Sequence, residues 1–164
     1  MSKLPPAFYS DNPELVARKL LGRDLFVMSF SKRIIKARLC EIAAYVGNTT
    51  SHSKETKCLP GTLTIRTKMR QKLMEICTIR GKEPSRITLC AANIEYPEGF
   101  SFFAKDSGML SRKLGITNET ESFYQSQEIY GDKIWIEGEP VPFDYTLRKN
   151  GCSKNCVGVF YYTL

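Results

Sequence analysis

Residues 33–46 read RIIKARLCEIAAYV. Aliphatic and β-branched residues fill the run without a turn former, so it is expected to form one long β-strand. Before it stands DLFVMSF, residues 24–30, and only the short polar Ser31-Lys32 separates the two runs. Two such runs on so short a polar link predict a hairpin. Inside the long strand lies Glu41, a carboxylate within an apolar stretch that closes on two alanines and Tyr45. A strand repeats every two residues, so Glu41, Ala43 and Tyr45 share a face, with Glu41 set back from Ala43 by roughly 6–7 Å. A charge in that position fits a pocket wall better than a core.

The flanking segments define the rest of the expected fold. NPELVARKLLG, residues 12–22, predicts a helix: Asn12 caps, Pro13 suits the first turn, Leu15, Val16, Leu20 and Leu21 make an apolar stripe, and Gly22 ends it. After Gly47 the polar stretch NTTSHSKETKCLPG is a loop that carries His52. In TLTIRTKMRQKLMEICTIRGK, residues 62–82, Arg66, Lys68, Arg70 and Lys72 take one parity, and Leu63, Ile65 and Met69 take the other. That alternation predicts a strand or ribbon with a basic face, although Lys68 to Ile76 also fits a short helix. RITLCAANI reads as a buried strand, DSGMLSRKLGIT as a capped helix from Ser107 to Gly115, KIWIEG as a strand, and GVFYYT as a last strand closing the sheet. Strands grouped with helices, without βαβ alternation, predict a single α+β domain over residues 1–164. Its mainly antiparallel curved sheet is flanked by helices.

At 164 residues the chain is long enough to bury roughly 70% of its unfolded surface in one core. Twenty-four Lys and Arg against 17 Asp and Glu give a net charge of +7. With a pI of about 9.1, polyanionic partners come first, although such a balance also serves solubility alone. No stretch has signal-peptide character or approaches the roughly 20 apolar residues of a bilayer span, so the expectation is a soluble intracellular protein with no membrane partner. The six cysteines, Cys40, Cys58, Cys77, Cys90, Cys152 and Cys156, are then expected as reduced thiols. Cys152 and Cys156 in CSKNC form one close pair with no second pair, and the one histidine, His52, is distant. No metal and no cofactor is expected.

Taken in order, VARKLLG, EIAAYVG, SHS, PGTL, SGMLSRKLGIT and VFYYT resemble the 3-methyladenine DNA glycosylases of the alkyladenine (methylpurine) type. The likeness is collinear over nearly the whole chain, which is its strength, since no single motif is specific. The chain is compact for that family and its loops are short. The resemblance implies an enzyme that flips a damaged purine out of duplex DNA, stacks it between Tyr45 and His52, and holds a water against the sugar with a glutamate. This chain departs from the pattern at that glutamate, where Ala43 stands. Glu41 is the remaining carboxylate, acting through a second water or supporting the pocket.

With PGTL as an ungapped anchor, the residue that wedges into the minor groove is Met69, which sits on a β-hairpin directed at DNA with Arg66, Lys68, Arg70 and Lys72 toward phosphates. Ile76, Ala92 and Met109 fall where the family has polar residues. The expected activity is monofunctional: hydrolytic excision of 3-methyladenine- and 7-methylguanine-class bases in base excision repair, without a Schiff base. The alternative is a weakened or inactive descendant that binds duplex DNA without excision. A monomer is expected, in the nucleus of a eukaryote or otherwise in the cytoplasm. An RNA-binding domain lacks the aromatic motif it would need.

Overall fold

The computed structural model describes residues 3–28, 31–46, 59–68, 70–116, 127–128, 133–139, 146–150 and 158–163. The predicted hairpin is present. Strand β1 (Asp24–Met28) runs antiparallel to β2 (Ile34–Val46), with Asp24 opposite Arg38 and Met28 opposite Ile34. Lys32 turns the link with a φ of +62°.

The remaining strands follow as β3 (Thr62–Lys68), β4 (Gln71–Arg80), β5 (Glu83–Glu95), β6 (Ser101–Ala104), β7 (Gln127–Glu128), β8 (Ile134–Glu137), β9 (Thr146–Asn150) and β10 (Gly158–Thr163). All ten belong to one curled antiparallel sheet whose main path is β7-β3-β4-β5-β2-β1-β8. A short 3-10 turn (Pro6–Tyr9) precedes helix α1 (Pro13–Leu20), and α2 spans Ser107–Lys113. The expected class, a single α+β domain around an antiparallel sheet, is the observed one.

Strands β2 and β5 form the spine, and both change parity midway. On β2 the core residues are Ile35, Ala37 and Leu39, then Ile42 and Ala44; on β5 they are Ile87 and Leu89, then Ala92 and Ile94. A step of three in a period of two marks a β-bulge. The pairing shows it: Leu39 faces Ala92, Glu41 faces Ala91 and Ile42 faces Leu89, so Cys40 on β2 and Cys90 on β5 are each an extra residue. The two bulges compensate, which restores register beyond them and adds twist where they lie.

The neighbours of the spine also change at this point. β2 pairs with β1 through Arg38 and with β10 from Glu41 onward. β5 pairs with β4 up to Leu89 and with β6 from Ala92. The sheet therefore forks on both sides at the level of Cys40, Glu41, Cys90 and Ala91.

Both helices cover one face. Val16, Ala17 and Leu20 of α1 and Leu110 of α2 are fully buried and share one cluster with Leu39, Ile42, Met74, Ile76, Leu89 and Ile94. Leu15, expected in the helix stripe, is 40% exposed instead. The stripe runs through Val16, Ala17 and Leu20, the set that falls on one side at 3.6 residues per turn. Asn12 takes the N-cap position without a side-chain hydrogen bond, and Gly22 follows the helix with a φ of +82°, a conformation open to glycine. Helix α2 is capped by Asp106, whose carboxylate accepts from Met109 N at 2.8 Å. Ser107 Oγ accepts from Met74 N at 2.6 Å, tying α2 to β4.

One cysteine corrects the sequence reading. Cys77, fully buried on β4, is disulfide-bonded, whereas Cys40 and Cys90 are free thiols. The expectation of six reduced thiols therefore fails at Cys77; chain length and a lack of secretory signals do not decide a pairing that depends on which strands the fold brings together. No described helix is long and apolar enough to cross a membrane.

Candidate active site on the outer face of the sheet

The face of the sheet turned away from α1 and α2 carries the polar residues. Antiparallel register defines a row across four strands: Ala43 on β2 faces Thr88 on β5, Thr88 faces Glu75 on β4, and Glu75 faces Thr64 on β3. Directly opposed residues of an antiparallel pair have Cβ atoms about 4.5–5.5 Å apart, so each member of the row neighbours the next.

The centre of this row is closed to solvent: Glu75 is 0% exposed, Ala43 3%, Thr88 4% and the neighbouring Arg86 6%. Arg86 Nη1 stands 3.8 Å from Glu75 Oε1 and donates to Thr64 Oγ1 at 3.1 Å. The guanidinium thus spans β5 to β3 across the face. Thr88 Oγ1 is buried and has no hydrogen-bond partner among the described residues. A buried hydroxyl in that state costs about 1–3 kcal/mol, so its retention needs a reason.

Glu41 lies where the row opens toward solvent and is half-buried. The bulge at Cys40 puts Glu41 on the same face as Ala43, as the period-two reading expects for residues beyond the bulge. Its carboxylate acts on Cys90: burial first, then the Glu41 charge, push the Cys90 thiol up to about 12, against a backbone hydrogen bond at Ala43 that pulls it down. Cys40 is also raised, by burial above all, with the Asn93 backbone and Arg38 opposing. Both thiols donate weakly to a backbone carbonyl two residues before them, Cys40 to Arg38 O and Cys90 to Thr88 O. Held in the neutral form at pH 7, neither serves as a nucleophile.

The other expected site residues divide as follows. Tyr45 lies on β2 opposite Val159. His52 and Met69 lie outside the described residues. Strands β3 and β4 form a hairpin in which Lys68 faces Gln71, with Arg70 in the turn, and strand continues through Ile76, where a helix also fitted the pattern.

The turn divides the basic alternation. Arg66 faces Leu73 and Lys68 faces Gln71, in the register of Thr64 and Glu75, while Lys72 faces Thr67, in the register of the core residues Leu63 and Ile76. A single basic face over Arg66, Lys68, Arg70 and Lys72 is therefore corrected to two registers and a turn position, because a two-residue turn folds the sequence parity back on itself.

Arg70 is exposed and has a φ of +67°. A left-handed conformation burdens a side chain with a Cβ and not glycine, whose own cost is entropic. Arg70→Gly is expected to stabilise the fold by a net of about 0.5 kcal/mol. Urea unfolding reads this as a raised midpoint at unchanged slope, and an unchanged or lowered midpoint would refute it.

Ile76 and Ala92, which fell on expected polar sites, are fully buried among the core residues under the helices. The outer face instead carries their neighbours: Glu75 and Cys77 on β4, and Thr88, Cys90 and Ala91 on β5. Met109 is half-buried on α2 and packs against the core.

Sequence reasoning passed over Glu75, Arg86 and Thr88. The signal for Glu75 was the one that marked Glu41, a carboxylate inside an apolar run, here LMEIC. Among the described residues no cluster of His, Cys, Asp or Glu could hold a metal ion. No protein-family model and no curated protein matches the sequence.

Proposed function

We propose that this chain is a DNA-repair N-glycosylase that flips alkylated purines from duplex DNA and excises them with water. Tyr45 and His52 stack the base, and Glu41 supports the water from the mouth of the polar row. The reading rests on the sequence resemblance. One observation supports it from the fold: the strand carrying Glu41, Ala43 and Tyr45 and the β3–β4 hairpin belong to one sheet, linked by the register row Ala43, Thr88, Glu75, Thr64. A hairpin tip that meets the groove and a strand that receives the flipped base then belong to one face of one sheet. The protein acts as a monomer where genomic DNA is found.

Cationic N3- and N7-alkylpurines leave readily without strong base assistance, whereas neutral hypoxanthine requires more of it. Single-turnover assays on duplexes with 7-methylguanine, 3-methyladenine or hypoxanthine are expected to show excision of the first two, with hypoxanthine slower by about 10² or more. Equal rates for hypoxanthine and 7-methylguanine would contradict the reading. Arg70→Ala is expected to lower duplex affinity at every sequence and to reduce the slope of log K against log salt by about one. An unchanged slope removes Arg70 from the interface.

Ala43 favours a second reading. With an alanine where the resemblance implies the water-holding glutamate, the chain binds lesion-bearing duplex and shields it without excision. Binding to 7-methylguanine duplex with no abasic product in the same assay selects this alternative.

A further inference from the structure

The register row contains a carboxylate and a hydroxyl that neither the resemblance nor the sequence pattern assigns to a task. Glu75 is fully buried, and Thr88, directly between Ala43 and Glu75, has a buried hydroxyl without a partner among the described residues. An ion pair withdrawn from water on a sheet face contributes little net stability, and apolar residues of similar volume often replace it without loss. An unsatisfied hydroxyl beside it is a further cost. Both features are explained if the row handles a polar ligand.

We propose, resting on the glycosylase reading, that Glu75 is the carboxylate that accepts the proton of the nucleophilic water, and that the Thr88 hydroxyl holds that water above Ala43. Alanine puts no polar atom at this point of the row, so the water's contacts fall to the next member, Thr88, and the carboxylate beyond it. In the step, the water oxygen bonds to C1′ of the lesion nucleotide. The bond from C1′ to the purine nitrogen breaks, and its electron pair leaves with the base. A cationic alkylpurine departs neutral, and the proton of the water passes to Glu75. Arg86, between Glu75 and Thr64, orients the carboxylate. Glu41 and Cys90, both half-buried, are the members of this face nearest solvent beside the row.

The test uses the full-length chain and 7-methylguanine duplex, with single-turnover excision rate, duplex affinity and thermal midpoint measured on each variant. Thr88→Val keeps the shape of the side chain and leaves the Glu75–Arg86 pair in place. It is expected to lower the excision rate by about 10² while affinity stays at the wild-type value and the midpoint does not fall, since an unsatisfied buried hydroxyl is removed, and Thr88→Ser is expected to restore most of the rate. Glu75→Gln, where it folds, is expected to lower the rate by about 10² or more. Excision by Thr88→Val at the wild-type rate overturns the proposal while the glycosylase reading stands. Absence of excision by the wild type on both alkylated duplexes overturns the glycosylase reading, and the proposal with it.

Discussion

On the proposed glycosylase reading, Ala43→Glu is expected to raise single-turnover excision of 7-methylguanine by about 10², within the range that a placed general base contributes. Position 43 faces Thr88 on β5 and shares its side of β2 with Glu41. A carboxylate there meets the water directly, without reaching across a neighbouring strand.

The gain has a cost. The position is 3% exposed, and the substitution buries a further charge on a face that already holds Glu41 and Glu75, which lowers stability by about 2 kcal/mol. The signature of the mechanism is non-additivity. In the Ala43→Glu background Glu75→Gln costs less than about tenfold, against about 10² in the wild-type background, because one base has replaced the other. Equal costs in both backgrounds would separate Glu75 from the proton transfer. No gain in rate for a folded Ala43→Glu protein would remove position 43 from the site.

The parts of the fold legible in the sequence were those set by local pattern. The hairpin of DLFVMSF and RIIKARLCEIAAYV, the helix after Pro13, the Asp106-capped helix and the strand at Ile134–Glu137 depend on periodicity, caps and turn residues that neighbours in the chain supply.

What failed depended on register. The bulges at Cys40 and Cys90 shift the parity of β2 and β5, and the pairing of Lys68 with Gln71 reverses it between β3 and β4. Ile76 and Ala92, where the ungapped anchor meets polar positions of the family, lie in the core, one residue from the face that carries Glu75 and Ala91. The bulge of β2 is a step of three, Leu39 to Ile42, and the unbroken apolar run Ile42–Val46 beyond it hides that step in the sequence. Whether a carboxylate in an apolar run lines a site or stands alone is settled by its cross-strand partner, and Glu75 acquires Thr88 and Arg86 only through pairing with β5. Cys77 teaches the same lesson, since its disulfide is a matter of tertiary neighbours.

Arg86→Met lowers stability by about 3–5 kcal/mol. For a chain of this size that is a fall of roughly 10 °C in the thermal midpoint. The guanidinium is 6% exposed and faces a carboxylate that is 0% exposed, so removal of the cation leaves the negative charge of Glu75 in the interior with less compensation. Thr64 Oγ1 loses the donor at 3.1 Å as well. Methionine fills much of the arginine stem volume, which confines the effect to charge and hydrogen bonding.

If the loss is electrostatic, removing the carboxylate too restores it: Glu75→Leu combined with Arg86→Met recovers most of the stability, because an apolar pair of similar volume avoids the desolvation of both ions. Urea unfolding of the two single variants and the double at pH 7 gives the coupling directly. A double variant as unstable as Arg86→Met alone would show that Arg86 acts by packing. The double variant that recovers stability is also expected to stay inactive, since the row then has no carboxylate beyond Thr88. Regained stability together with full excision would leave the buried pair with no part in the chemistry.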